Sequence, residues 1–78
     1  MHVKNKQTVY CVMRHDYLSP PFGGGVVERD VVLCIALDDV RAEELRGEME
    51  QQFFDMFPSM KDNEYEPNFY VHATAFYE

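Results

Sequence analysis

The chain has 78 residues, which is enough for one small domain and too few for most enzymes that close two halves on a substrate. Hydrophobic residues make up 46% of the chain and aromatic residues 14%, which predicts a folded rather than a disordered protein. Fourteen acidic residues against seven basic ones give a net charge of −7, which argues against a protein that binds nucleic acid through its phosphates.

The first predicted element is a strand over residues 8–17, where valine and tyrosine are frequent. Residues 18–25 contain two prolines and three glycines and predict a loop. A second strand follows over residues 26–37, and its second half is apolar at every position, which is typical of a strand covered on both faces. Simple alternation there places Val32 and Cys34 on one face, and Leu33 and Ile35 on the other.

A helix is predicted from Asp38 or Asp39 to Phe57. Either aspartate can accept the free backbone N–H groups of a first helical turn, and Pro58 ends the helix because proline is excluded from helix interiors. Apolar residues at three- and four-residue steps form a stripe that we expect to face the core: Ala42, Leu45, Met49, Phe53 and Met56.

An acidic loop is predicted over residues 58–67 and a third strand over residues 68–77. Alternation assigns two apolar faces to this strand. One face carries Phe69, Val71, Ala73, Ala75 and Tyr77, and the other carries Tyr70, His72, Thr74 and Phe76.

We therefore predict a single α+β domain over residues 1–78. It has two layers, with one amphipathic helix on one face of a small, mainly antiparallel three-stranded sheet. We prefer the order in which the first strand lies between the other two, because the sheet is then antiparallel throughout. The alternative places the second strand in the middle, parallel to the third, and explains the apolar run of the second strand more directly.

One helix covers only one face of three strands, yet every strand carries apolar side chains on both faces. A second face left in water would form an apolar patch of several hundred Å², more than soluble monomers usually tolerate. We predict that a second copy of the chain, or a ligand, covers this face. The candidate residues are Tyr10, Val12, Val32, Tyr70, His72 and Phe76. The alternative is an antiparallel sheet with one half-solvated face.

The net charge is concentrated between residues 38 and 67, where ten acidic residues face three basic ones. The electric field of this concentrated negative charge raises the rate of association with a basic partner. The alternative is an acidic helix face that only keeps the protein soluble. Phe54 lies opposite the core stripe, in line with Val40 and Gly47, and is either an aromatic anchor for a partner or packed under the loop. The predicted partner-binding residues are Glu43, Glu44, Glu48, Glu50, Phe54, Asp55, Asp62, Glu64 and Glu66.

No motif predicts catalysis, a metal or a cofactor. The glycine run at 23–25 leads into a strand with no lysine after it, unlike a phosphate-binding loop. The scattered cysteines and histidines lack the close spacing of zinc ligands, and the thiols lack the basic surroundings of a reactive cysteine. These residues are Cys11, Cys34, His15 and His72. We expect no enzymatic activity.

The predicted function is that of a non-enzymatic binding module, an inhibitor or adaptor that docks its acidic helix and loop on a basic surface of a partner protein. Where that surface holds nucleic acid, the carboxylates would compete with phosphates. In size and charge the chain resembles small acidic phage-encoded inhibitors, anti-CRISPR proteins among them. A homodimer that binds a ligand on its aromatic sheet face is the alternative, and an assembly subunit is a third.

The expected location is the cytoplasm. No apolar stretch approaches the ~20 residues of a membrane span, and the N-terminus does not open a signal peptide. We expect no membrane partner and no direct nucleic-acid partner.

Overall fold

A computed structural model describes residues 6–20 and 22–77, apart from the side chains of Lys6, Phe76 and Tyr77. The chain forms, in order, β1 (Lys6–Leu18), β2 (Val27–Ala36), α1 (Asp39–Met56), a short 3-10 helix (Pro58–Met60) and β3 (Asn68–Tyr77). The order strand, strand, helix, strand confirms the predicted α+β fold.

The three strands form one antiparallel sheet in the order β2-β1-β3. Val12 in the middle of β1 lies beside Cys34 of β2 and Val71 of β3. This confirms the preferred order, and the alternative with the second strand in the centre is wrong. Helix α1 carries the chain back along the sheet from the end of β2, and β3 then pairs antiparallel with the free edge of β1.

A β-bulge at Leu33 changes which side chains of β2 face the helix. Val12 pairs with Cys34, but the next residue, Met13, pairs with Val32, so Leu33 is an extra residue. Cys34 therefore lies on the helix side and Val32 on the opposite side. The expectation that these two side chains share a face is wrong, because it assumed a regular strand.

The core lies between α1 and the sheet and is small. The buried apolar side chains of the described residues are Val12, Ala36, Ala42 and Phe69. Partly buried residues surround the first three of them: Tyr10, Leu33, Cys34, Leu45, Met49 and Val71. The apolar run of β2 is not covered on both faces as expected, since Val32, Ile35 and Leu37 are 55%, 60% and 69% exposed. β2 is an edge strand, and α1 covers only one side of the sheet.

Helix α1 begins where its cap predicts. The Asp38 carboxylate accepts the backbone N–H of Val40 at 2.7 Å and of Arg41 at 3.3 Å. Ala42 of the predicted core stripe is fully buried, but Met56 is 73% exposed. That assignment is wrong because the side chains of the preceding turn already fill the contact with β3 at this end of the helix. Within the described residues, no helix has both the length and the apolar character needed to cross a lipid bilayer.

The molecule is flat and long, with principal extents of 56 × 28 × 13 Å. Its radius of gyration is 16.0 Å, whereas a compact domain of this length has about 11.5 Å. The sheet therefore has a broad side that faces away from α1, and we call this side the open face.

Candidate protein-binding site

The two arginines of α1 are bound to carboxylates of the same helix. Arg46 Nε lies 2.6 Å from Glu43 Oε1, and Arg46 Nη1 lies 2.9 Å from Glu50 Oε2. Arg41 Nη1 lies 3.2 Å from Glu44 Oε2. These pairs form because residues three or four apart are neighbours on a helix surface. The hydrogen bonds to Glu43 and Glu50 raise the pKa of Arg46. Arg41 Nη1 also lies 3.9 Å from Glu48 Oε1, so the two arginines are shared among four glutamates and this part of α1 keeps a net negative charge.

The loop after α1 is a series of turns that presents further carboxylates. Backbone bonds join Met60 to Phe57 and Glu66 to Asn63, both at 3.0 Å. Asp62 has a φ of 60°, a left-handed conformation that aspartate tolerates better than most residues. Asp62 and Glu64 are exposed and Glu66 is half-buried. Within the described part of the chain, none of these three carboxylates forms an ion pair.

We call the exposed carboxylates of α1 and this loop the acidic face. Its members are the predicted residues Glu43, Glu44, Glu48, Glu50, Asp55, Asp62, Glu64 and Glu66. All but Glu50 and Glu66 are exposed, and those two are half-buried. The elements that carry them follow each other directly in the chain, since α1 leads into the loop through the short 3-10 helix.

Phe54, for which the sequence left a partner anchor and packing under the loop as alternatives, is half-buried. Its ring centroid lies 5.3 Å from that of Phe53 and 6.1 Å from that of Phe69 in β3. The Lys61 ammonium lies 5.1 Å from the same ring, a cation–π distance. Packing at the helix end therefore accounts for most contacts of Phe54, and its remaining side lines a groove. The groove is lined by Gly47, Glu50, Gln51, Phe54, Pro58 and Lys61.

Exposed apolar side chains flank the acidic face. Val40 is 65% exposed at the start of α1, while Met56 and Phe57 are 73% and 49% exposed at its end. Sequence reasoning assigned Met56 to the core and gave Phe57 no role. A charged surface with apolar side chains at its margins resembles the surfaces that proteins use for recognition.

The predicted dimer or ligand face is not assembled as expected. Tyr10 and Val12 point to the helix side, where Val12 is completely buried. Val32 lies on the open face beside Met13, and so does Tyr70. The residues were assigned strand by strand, and alternation within a strand does not say which faces of neighbouring strands coincide. His72 lies on the open face with Cys11, and the side chain of Phe76 lies outside the described residues.

A polar cluster that sequence reasoning missed lies at one end of the open face. His15 Nδ1 lies 2.8 Å from Asp30 Oδ1, and His15 Nε2 lies 2.9 Å from Glu28 Oε1. The Tyr70 hydroxyl donates to Asp30 at 2.7 Å. The cluster links all three strands. The predicted hairpin of β1 and β2 could have indicated part of this cluster. An antiparallel register that pairs residue 15 with residue 30 places His15 beside the carboxylates of β2.

The hydrogen bonds of this cluster shift the pKa of three groups. Bonds to Glu28 and Asp30 raise the pKa of His15 above its ordinary 6.5. The Tyr70 hydroxyl and His15 lower the pKa of Asp30, and the same bond to Asp30 raises the pKa of Tyr70. The cluster therefore favours a charged imidazolium between two carboxylates.

A second ionic cluster lies on the helix side of the sheet. Asp16 is only 7% exposed and accepts from Arg14 Nε at 2.7 Å and from Arg29 Nε at 3.1 Å. Burial alone would raise the pKa of Asp16, but the hydrogen bonds from the two arginines outweigh it and the pKa is lowered. The Arg14 guanidinium also lies 5.6 Å from the ring centroid of Phe53. Two guanidinium groups share one carboxylate, so the cluster keeps a net positive charge while it ties β1, β2 and α1 together.

The two free cysteines lie on opposite faces of the sheet. Cys34 faces α1, with its thiol 4.0 Å from Met49 Sδ, and Cys11 pairs with Ile35 on the open face. In the part of the chain that the structure describes, no group of three or more His, Cys, Asp or Glu side chains is arranged to hold a metal ion.

Comparison with known proteins found no matching family model, no significantly similar curated protein and no significantly similar solved structure.

Proposed function

We propose that this protein is a non-enzymatic binding module whose acidic face docks on a basic surface of a partner protein. The observation that carries this proposal is the arrangement of charge on α1 and the loop. Two arginines, Arg41 and Arg46, are shared among the four predicted glutamates of α1, so a net negative charge remains there. The other predicted carboxylates form no ion pair within the described residues; they are Asp55, Asp62, Glu64 and Glu66. A basic partner is therefore the charged group that this surface can still attract.

The acidic face combines long-range attraction with short-range contact. Residues 38–67 carry ten acids and three bases, and the charges in the rest of the chain balance. A one-sided field of this kind orients a charged partner before contact and raises the association rate. Val40, Met56 and Phe57 then offer apolar area at the margins of the same surface.

Inhibition by charge mimicry is the form of docking that we propose. Helix α1 has 18 residues, a length of about 27 Å, and carries carboxylates along its exposed side. A partner surface that normally binds phosphates would accept these carboxylates in their place. Small acidic phage-encoded inhibitors, including anti-CRISPR proteins, share this size and charge. An adaptor would use the same contacts without displacing a nucleic acid.

The proposed location is the cytoplasm. The thiols of Cys11 and Cys34 are both free, and reducing compartments keep thiols in this state.

The test uses two variants with the same net charge. Asp62→Asn/Glu64→Gln removes two exposed carboxylates of the acidic face that form no ion pair within the described residues. Thr8→Lys/Ser19→Lys makes the same change in net charge at exposed positions outside the acidic face. Each protein is immobilised, and binding of purified basic nucleic-acid-binding proteins is measured at low and at high salt. We expect the first variant to associate about tenfold more slowly than wild type, with a weaker dependence on salt. We expect the second variant to stay close to wild type.

Equal loss of binding in both variants would show that only net charge matters, and binding that is insensitive to salt would contradict the proposal. A labelled oligonucleotide bound to the partner separates inhibitor from adaptor. An inhibitor by mimicry releases the oligonucleotide on addition of this protein, and an adaptor leaves it bound.

A further inference from the structure

The open face carries an apolar patch that no part of the described chain covers. We define the patch by five residues, which are Val9, Cys11, Met13, Val32 and Ile35. Val32 and Ile35 are 55% and 60% exposed, and the other three are half-buried. Scattered apolar residues on a surface are ordinary, but a contiguous group on one side of a sheet marks an interaction surface.

We propose that a second copy of this chain covers the patch and forms a two-fold dimer with the sheets inside and the helices outside. This proposal does not depend on the proposed function, because it concerns the opposite side of the molecule from the acidic face. In a two-fold dimer each copy offers the same patch, so an apolar surface meets an apolar surface by symmetry.

The surface area of the chain fits this occupant. The accessible surface is 5910 Å², whereas a compact monomer of this mass exposes about 4,900 Å². The difference is about 1,000 Å², and a standard interface buries about 800 Å² on each partner. The flat shape and the small number of buried apolar side chains also favour a dimer, because one protomer has a large surface and little interior.

The charge distribution leaves the open face as the side where two copies can meet. Contact through the helices would bring together two segments that each carry the full net charge of −7. Stacked sheets lie about 10 Å apart, and each protomer is 13 Å thick, so in the proposed dimer the acidic helices lie about 30 Å from each other. This separation is several Debye lengths of about 8 Å at physiological salt, so repulsion between the helices is screened.

The polar cluster at the end of the open face fits the margin of such an interface. His15 and Tyr70 each bond to Asp30 Oδ1, so the ring nitrogen and the hydroxyl already have a partner beside the apolar patch. Interfaces commonly have an apolar centre with a polar rim of this kind.

Sedimentation velocity at tens of micromolar protein and near-physiological salt tests the proposal. We expect wild type to sediment with twice the 9.2 kDa mass of one chain. Ile35→Asp is expected to raise the dimer Kd by about 100-fold or more, because symmetry buries two unpaired carboxylates in the interface. The matched control is Val40→Asp, which places the same charge at a valine with 65% exposure on α1, and it should remain dimeric.

A wild-type mass of one chain overturns the proposal, and so does a dimer that survives Ile35→Asp but is lost in Val40→Asp. Should circular dichroism show that Ile35→Asp is unfolded, Ile35→Thr keeps the branched side chain and removes most of the apolar contact. The Tm of wild type gives an independent readout, since a dimer melts at a higher temperature when its concentration rises and a monomer does not. Asp62→Asn/Glu64→Gln should leave the mass of the dimer unchanged, so a failure of the proposed function and a failure of this proposal give different results.

Discussion

The hydrogen bonds of His15 define the protonation state that the folded chain prefers. Each ring nitrogen lies within 3 Å of a carboxylate oxygen, at 2.8 Å for Asp30 and 2.9 Å for Glu28. A carboxylate only accepts, so both nitrogens must carry a proton for both bonds to form. The folded state therefore binds this proton more tightly than the unfolded chain does, and stability becomes linked to pH.

We expect His15 to stabilise the protein more in mildly acidic than in basic solution. A histidine whose pKa is raised above 6.5 contributes fully below that pH and loses its contribution as the pH rises through the folded value. Asp30 has a lowered pKa, so its own contribution is present above its ordinary 3.8 and is lost only in stronger acid. The cluster therefore stabilises the folded state most between about pH 3.8 and about pH 6.5.

Urea denaturation of wild type and His15→Gln at about pH 5.5 and about pH 8.5 measures this effect. We expect the difference in unfolding free energy between the two proteins to be larger at the lower pH. The same difference at both pH values would show that the imidazole acts only through packing against Tyr17, whose ring centroid is 4.8 Å away.

At the scale of elements, the sequence of helix α1 favours the helix at its N-terminus and in its side-chain pairs, but not at its central glycine. Its cap is well made, with two backbone N–H groups bonded to Asp38, and its arginine–glutamate pairs follow the helical spacing. However, Gly47 sits in the middle of the helix, where glycine is less favourable than alanine. A Cβ atom at this position would meet no atom within 4 Å.

We expect Gly47→Ala to stabilise the protein by about 0.5–1 kcal/mol, because alanine loses less backbone entropy on folding. Urea denaturation at one fixed protein concentration measures it. A destabilised variant would contradict the helical conformation of this residue. Gly47 also lines the groove beside Phe54, so a variant that is more stable but binds a partner more weakly would place that groove in the interface.

At the scale of the whole molecule, stability depends on very few side chains. One contact between the sheet and the helix forms the core cluster, which consists of Val12 of β1, Ala36 of β2 and Ala42 of α1. Val12 and Ala42 are 0% exposed, whereas several larger apolar residues are more than half exposed. Small domains have only a few kcal/mol of stability, so each residue of this cluster carries a large share of it.

We therefore expect Val12→Ala to destabilise the protein by about 2 kcal/mol, through the loss of two buried methyl groups and the cavity they leave. The control is Val27→Ala in β2, where the side chain is 52% exposed and lies outside the apolar patch. This change should stay within about 0.5 kcal/mol of wild type. Similar effects of the two substitutions would contradict a core centred on Val12.

Much of the fold was predictable because the signals are local. The Asp38 side chain caps the start of α1, and Pro58 cannot continue the helix. Both signals are local, and the helix begins and ends within about one residue of the predicted positions. Residues 68–77 form the third strand as predicted. The acidic residues were also predictable as a group, because consecutive residues of a helix and the following loop remain neighbours in any fold.

The amino-acid sequence by itself determined the elements, their order and the charge that α1 and the loop carry. Only the tertiary structure decided which side chains meet. The bulge at Leu33 separates Val32 from Cys34, the register buries Tyr10 and Val12 under the helix, and the contacts of Phe53 and Phe54 leave Met56 in water. The physical reason is the range of the interactions. Capping, proline and alternation act over a few residues, whereas register and packing depend on pairs of residues far apart in the chain.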